Sequence, residues 1–290
     1  MKKSVTILTD LPEWCDETAM GLQRFGWQVE IVDLRKFDWV PSRPLPEWKL
    51  VFNRIASRPA DDDPALLTLA RDLLGAIQLS GIPCLNGAGC HVVGASKLLQ
   101  ASLFAKLGVP TPWTLAVSPA TLERKLAEFD GRFPLLIKSN TGGRGRGISS
   151  PHEVNAETFA PDGIAILQER ITSGDGLIHR VEMIGAEVLY EADAPLHPNS
   201  FDYCLAGMEP STLGFRREPP GGIASVCRRL ASAAAMDLGS IEFLIDESGE
   251  LQFIDLNPVS SLMPDAAARL GFDPTEKLDA LLEARIRGTG

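Results

Sequence analysis

The sequence predicts an α/β protein: a small N-terminal parallel α/β unit followed by lobes of mixed α+β character. Three observations carry this expectation. Short β-branched runs alternate with amphipathic helical stretches from Val5 to Leu85, the pattern of a parallel sheet with crossover helices. The helical stretches stop at glycines such as Gly26, Gly81 and Gly108, which tolerate the left-handed conformation of a helix exit. The second half replaces this alternation by pairs of strands joined through tight turns.

Val5 to Leu8 is short, β-branched and bounded by polar residues, so it reads as a buried first strand. A helix follows from Asp16 to Phe25, then a strand from Gln28 to Val32, a strand from Lys49 to Asn53 and a periodic helix from Pro64 to Leu79. This unit runs out near Asn86-Gly87, which sets a first domain at 1–88. Ser96 caps a helix whose apolar face includes Leu98, Leu103, Phe104 and Leu107, and Gly108, Pro110 and Pro112 end it. Lys97 lies in its first turn, where a cation opposes the helix dipole at a cost of a few tenths of a kcal/mol. That misfit suggests a task elsewhere; a solvated lysine is the alternative. Next come a strand at Leu115–Val117, a helix at Pro119–Phe129, a strand at Phe133–Lys138, a glycine-rich loop at Ser139–Gly147 and a strand at Ile164–Gln168. They define a second region at 89–170. In the third region, 171–290, Arg180–Ile184 and Glu187–Glu191 form a hairpin around Gly185-Ala186, and Ile223–Met236 is a long helix. Strands at Ser240–Ile245 and Leu251–Leu256 flank the turn Asp246–Glu250, and a final helix spans Pro274–Arg287.

Composition narrows the function. The 290 residues are 44% hydrophobic and 23% charged, with a net charge of -10. The only short basic cluster, Arg144-Gly145-Arg146, sits among glycines, so a nucleic-acid surface is not expected. Five cysteines without a CxxC pair argue against a disulfide framework and for reduced thiols in a cytoplasm. No apolar run approaches the roughly 20 residues of a membrane span. Four histidines without paired spacing argue against a zinc hydrolase.

Three constellations carry chemistry. A strand delivers Lys138 into the run Ser-Asn-Thr-Gly142-Gly143-Arg144-Gly145-Arg146-Gly147. Glycines let the backbone approach a ligand, and successive N–H groups can cradle an anion; the bland alternative is a flexible surface loop. The spacing matches neither a Walker A loop nor GxGxxG. Second, Ser240-Ile-Glu242-Phe precedes Phe253-Ile-Asp255-Leu-Asn257-Pro258. Asp255 and Asn257, two apart in a strand, face one side, and an antiparallel turn brings Glu242 alongside. Two carboxylates and an amide oxygen suit Mg²⁺ shared with phosphates; without metal the like charges are expected to repel. Third, Gln168-Glu169-Arg170 ends a strand between these two elements and reads either as a plain linker or as a hinge whose backbone meets an adenine edge. Arg54 and Arg58, after the third strand, read as solvated, with a substrate carboxylate as the alternative partner.

The ordered series Lys97, Lys138, glycine loop, Gln168-Glu169, Arg180, Glu242 and Asp255-x-Asn257 resembles the ATP-grasp superfamily over about residues 84–265. Asn86-Gly87, Ser96-Lys97-Leu-Leu and Leu238-Gly-Ser-Ile-Glu242-Phe are similar to its glutathione-synthase/ribosomal-S6 glutamate-ligase (RimK-like) branch. The resemblance implies an ATP-grasp fold with a small N-terminal parallel α/β domain. Its activity would be ATP-dependent joining of a carboxylate to an amine through an acyl-phosphate. ATP and Mg²⁺, as two ions with Mn²⁺ as an alternative, are the implied cofactors. Lys97, Lys138 and the loop with Gly142, Gly143, Arg144 and Gly145 would meet the phosphates, Gln168 and Glu169 the adenine and ribose. Arg180 would face the γ-phosphate and acyl-phosphate, and Glu242, Asp255 and Asn257 the metal. Asp255 replaces the usual glutamate and Glu242 the usual aspartate. Ile178 stands where relatives carry an acid, with Asp175 as a substitute, and Asp202 stands for an asparagine. Expected substrates are amino acids or peptides, and an oligomer is plausible. A ligase that modifies a precursor peptide, or an ATP-binding sensor without turnover, are the alternative readings.

Overall fold

The protein is described from a computed structural model covering residues 3–57, 63–141, 143, 147–196, 210–259 and 264–288. The first domain holds β1 (Ser4–Thr9), α1 (Asp16–Arg24), β2 (Gln28–Asp33), β3 (Val51–Asn53), α2 (Pro64–Leu79) and β4 (Cys84–Leu85). Its strands form one sheet in the order β2-β1-β3-β4, parallel throughout as the alternation predicts. Asp63 caps α2 by accepting from Ala65 N–H, with Pro64 in the first turn. One face of the sheet packs Leu8 and Val51 against Leu66, Leu73 and Ile77. Val5, Ile7 and Phe52 join a core that reaches into the C-terminal sheet.

Two helices follow, α3 (Ala88–Gly94) and α4 (Lys97–Lys106). The sequence reading passes over α3, a seven-residue helix that ends in glycine and has little propensity of its own. Ser96 caps α4 as expected, its hydroxyl accepting from Leu99 N–H. A second sheet contains β5 (Thr114–Val117), β6 (Leu135–Ser139), β7 (Ile148–Ser149) and β8 (Ala165–Glu169) in the order β5-β8-β6-β7, with α5 (Leu122–Glu128) beside it. The helix begins after Pro119 because Thr121 Oγ1 accepts from Ser118 N–H at 2.9 Å, closing a turn first.

The third sheet is antiparallel, in the order β11-β10-β9-β12-β13. It comprises β9 (Leu177–Ile184), β10 (Glu187–Pro195), β11 (Gly214–Arg216), β12 (Leu238–Ile245) and β13 (Leu251–Asn257). The β9–β10 hairpin extends further at its open end than the sequence pattern shows, where Leu177–His179 pair in register with Asp193–Pro195. Helices α6 (Ile223–Ala233), α7 (Pro264–Leu270) and α8 (Pro274–Arg287) complete the chain. Ala235, at φ 51°, stops α6 short of Met236. One face of this sheet, with Ile178, Ile184, Leu238 and Leu244, packs on the first sheet and α8. The other, with Val181, Met183, Ile241 and Phe253, packs on α4 and α6 through Phe104, Cys227 and Leu230. Thus α4 shares its core with the third sheet rather than the second. No helix among the described residues is long and apolar enough to cross a membrane.

A single buried side chain seals the joint between the first domain and the third sheet. Asn86 sits at φ 50°, a left-handed position asparagine tolerates. Its Nδ2 donates to Leu238 O at 2.6 Å and Pro258 O at 2.7 Å. Its Oδ1 accepts from Asp237 N–H at 2.8 Å and Leu238 N–H at 3.1 Å. Asn86→Ala would orphan backbone groups around a fully buried position. The expected loss is about 2–4 kcal/mol of stability, summing two or so unmade bonds, read as a lower melting temperature.

Candidate functional site

The site is assembled on the face of the third sheet that looks toward the first two. Strand register builds it: Arg180 on β9 lies opposite Glu242 on β12, and Glu242 lies opposite Asp255 on β13. The next row holds Glu182, Ser240 and Asn257. A bulge interrupts the pairing between Glu242 and Phe243, so that Ile254 is the extra residue of β13. Strict alternation would put Phe253 and Asp255 on one face. The bulge instead sends Phe253 into the core under α4 and α6 and leaves Asp255 beside Glu242.

The expected repulsion between the carboxylates is present but partly offset, because cations reach each of them. Arg180 Nη1 donates to Glu242 Oε1 at 2.9 Å, and its Nε donates to Glu182 Oε1 at 2.7 Å. Lys97 Nζ meets Asp255 Oδ1 at 2.9 Å from the first turn of α4. Lys97 is 9% exposed, so the solvated reading fails and the dipole misfit is offset by this ion pair. Burial pulls the Arg180 pKa down, but Glu182 and Glu242 more than compensate and hold it above its ordinary value. Burial raises the Glu242 carboxyl and Asp255 adds to the rise, against the pull of Arg180 and Lys97, and the net shift is upward.

Lys138, at the end of β6, faces the same cluster and is pushed down to about 7. Burial is the main cause and the like charge of Lys97 adds to it, while Asp255 and Glu242 oppose. The strand end is tied to α4: Asn140 O accepts from Lys97 N–H at 3.1 Å, and Asn140 Oδ1 accepts from Leu98 N–H at 3.1 Å. This fixes the two lysines relative to each other. An open cleft of about 340 Å³ adjoins Lys138, walled by Leu136, Ile148 and Leu244 and edged by Gln168 and Glu169. Apolar walls with a few polar edge groups suit a flat heteroaromatic ring. Gln168 is buried, donating from Nε2 to Thr114 Oγ1 at 2.9 Å. Glu169 accepts from Trp113 N–H at 3.4 Å.

The structure therefore brings together Lys97, Lys138, Arg180, Glu242 and Asp255, with Asn257 one row away and Gln168 and Glu169 at the adjoining cleft. Asn257 Oδ1 accepts from Val259 N–H at 3.2 Å. Gly143 is half-buried where the glycine loop leaves β6, whereas Gly142, Arg144, Gly145, Arg146, Asp202 and Arg58 lie outside the described residues. At Gly147, φ is 71° and a Cβ would stand 2.8 Å from Glu157 O, so glycine is required there.

Two expectations are corrected. Asp175 does not replace the acid missing at Ile178: it binds His179 Nε2 at 2.9 Å on the opposite face of β9. There His179 also meets Glu191 Oε1 at 2.7 Å, and Arg216 pairs with Asp193 at 2.5 Å, an ion-pair cluster off the site. Arg54 is not solvated; it is 6% exposed. The sequence reading also misses Glu182 and Asn140. Glu182 stands two residues from Arg180 on the same face of β9, and that spacing is the signal that would have found it; Asn140 follows β6, where nothing local marks it.

No family model matches the sequence, and no curated protein matches it. Solved structures do match in fold over nearly the whole chain. D-cycloserine synthetase DcsG is 16% identical, with a TM-score of 0.69 over 98% of this chain and 99% of that one. The ATP-grasp ligase PsnB, solved with a minimal precursor, is 16% identical with a TM-score of 0.65 over 98% and 100%; it has also been solved with Mg and ADP. A RimK domain ATP-grasp protein from Sphaerobacter thermophilus DSM 20745 is 14% identical with a TM-score of 0.66 over 97% and 99%. The chain has the ATP-grasp fold.

The depressed Lys138 generates a stability prediction. The unfolded lysine keeps its proton to about pH 10.5, whereas the folded one releases it near 7. Between these values the unfolded state binds more protons, so stability rises with pH across that window. Below pH 7 the full cost of burying the charge is present. Lys138→Met should therefore raise the melting temperature more at pH 6 than at pH 9, a difference that parallel melts of both proteins would reveal.

Proposed function

We propose that this chain is an ATP-dependent ligase that activates a carboxylate as an acyl-phosphate and joins it to an amine, releasing ADP and phosphate. The observation that carries this reading is the convergence of two buried lysines, a buried arginine and two paired carboxylates beside an apolar cleft. Such an arrangement serves phosphoryl transfer, where positioning and charge neutralisation do most of the work.

The donor set fits a hard divalent cation. Glu242 and Asp255 are adjacent carboxylates, Glu242 raised by burial and by the charge of its neighbour, and Asn257 adds an amide oxygen in the next row. These three would hold Mg²⁺, or Mn²⁺, as one or two ions. The metal would neutralise phosphate charge. Lys97 and Lys138 would face phosphate, Lys97 from beside Asp255 and Lys138 as a cation whose lowered pKa an anionic neighbour would raise. Arg180 keeps its charge at any working pH and is placed to steady negative charge that develops during phosphoryl and acyl transfer. The apolar cleft would take adenine, with Gln168 and Glu169 at its polar edge. The glycine-rich loop would close over the triphosphate and exclude water, protecting the acyl-phosphate.

The likeness to PsnB favours a second reading, ligation on side chains of a precursor peptide. A screen of amino acids, short peptides and any peptide encoded beside this chain, read as amine-dependent phosphate release with Mg·ATP, tests both. No release with any of them would count against ligase activity and leave a nucleotide-binding sensor.

Arg180→Ala is expected to lower turnover by about 10²–10³ while ATP affinity changes little, because its partner charge develops in the transition state. Calorimetric ATP binding beside steady-state rates separates the two quantities.

Asp255→Asn should abolish turnover and shrink the rise in melting temperature that Mg·ATP produces. It should also lower the melting temperature of the ligand-free protein, since Lys97 loses its counter-charge while buried. A full Mg·ATP shift in this variant would remove Asp255 from the metal site.

A further inference from the structure

The first domain reaches the charge cluster through Arg54. This residue follows β3 at the carboxyl end of the parallel sheet, the edge where functional groups collect in such folds. Its N–H donates to Leu8 O at 2.8 Å, extending the ladder between β3 and β1. Strand alternation turns Arg54 the same way as Phe52, and its guanidinium carbon lies 5.7 Å from the Phe52 ring centroid. Phe52 in turn shares a core with Ile178 and Ile184 of β9. Arg180 and Glu182 stand between those two isoleucines on the same strand face, so Arg54 and this pair lie on the side of the first sheet that meets the third.

Glu182 is fully buried and Arg54 is 6% exposed. A buried carboxylate needs compensation, and Arg180 Nε supplies part of it at 2.7 Å. Burial lowers the Arg54 pKa, while Cys15 and Glu182 raise it, so the field of Glu182 reaches the guanidinium. Arg180 has a second anchor in Glu242, but a cation on Glu242 would compete for that carboxylate. Glu182 then becomes the anchor that keeps Arg180 aimed.

We propose that Arg54 is a positioning residue for Arg180: acting from the first domain through Glu182, it holds the guanidinium toward the reacting groups, so that the seating of that domain becomes part of the catalytic geometry. The proposal rests on the ligase reading given above. It differs from the substrate-carboxylate role that the sequence leaves open for Arg54, in which the guanidinium would touch substrate.

The experiment uses the full chain with the substrate pair found in the phosphate-release screen. Arg54→Met is expected to reduce turnover at saturating substrates by roughly a hundredfold, as small misplacements of catalytic groups do. The KM of the carboxylate and the Mg·ATP melting shift should stay within about threefold and a degree or so of wild type. Arg54→Lys, which keeps the charge and folds if Arg54→Met does not, should recover most of the turnover. A raised carboxylate KM with full turnover would overturn the proposal in favour of direct substrate binding. Unchanged turnover in Arg54→Met, or no recovery of turnover in a folded Arg54→Lys, would leave Arg54 a merely structural residue.

A second measurement needs no activity. Melting temperatures of Arg54→Met, Glu182→Gln and the double variant should be non-additive, because the charge of Glu182 acts on the Arg54 guanidinium. Strictly additive shifts would overturn the proposal even for an active enzyme. Non-additive shifts in a protein whose wild type turns over nothing would instead count against the ligase reading alone.

Discussion

Arg180, Glu242 and Asp255 stand opposite one another on three neighbouring strands, and this one row of charge, buried at Arg180 and Glu242 and half-buried at Asp255, sets the terms for the surrounding architecture. Taking carboxylates out of water is costly unless each finds a partner. The partners come from elements far apart in the chain: Lys97 from the helix after the first domain, Lys138 from the second sheet, and Arg180 from β9. A ledger of ion pairs as stabilising contacts would miss the point, since apolar residues could fill the same volume with as much stability. What the row achieves is a concentration of fixed charge at a place shielded from solvent, where each charge acts more strongly than it would in water.

The surrounding contacts read as supports for that row. Gln100 on α4 donates to Leu256 O at 2.9 Å and accepts from Leu256 N–H at 3.0 Å. Its amide thereby behaves as one residue of an extra strand beside β13 and fixes the helix that presents Lys97. Asn140 does the same service between α4 and β6, so the two lysines cannot drift independently. The bulge in β13 is the third device, separating the direction of Phe253 from that of Asp255 within two residues.

Much of this was legible in the sequence. The parallel first sheet, α2, α8 and the β12–β13 pair follow from periodicity and turn chemistry, which are local. So does the pairing of Glu242 with Asp255, because an antiparallel turn at Asp246–Glu250 leaves little freedom of register. What was not legible depends on distant partners. Nothing near Lys97 in sequence announces Asp255, 158 positions later. Arg54 looks like any polar residue after a strand until the third sheet covers it. The bulge was hidden for a related reason: period two holds on either side of Ile254, and only the fit of Phe253 under α6 decides where the extra residue falls. Asp175, adjacent in sequence to the place it was expected to serve, is drawn to the other face by His179.

The Asn86 clasp has a bearing on how such a molecule can move. Its bonds to Asp237, Leu238 and Pro258 bridge the first domain and the third sheet, and they lie in the interior. Rotation between those two bodies would break them together. Whatever motion admits and releases ligands has therefore to spare this joint, so that Arg180, Glu242 and Asp255 share one frame with the first domain.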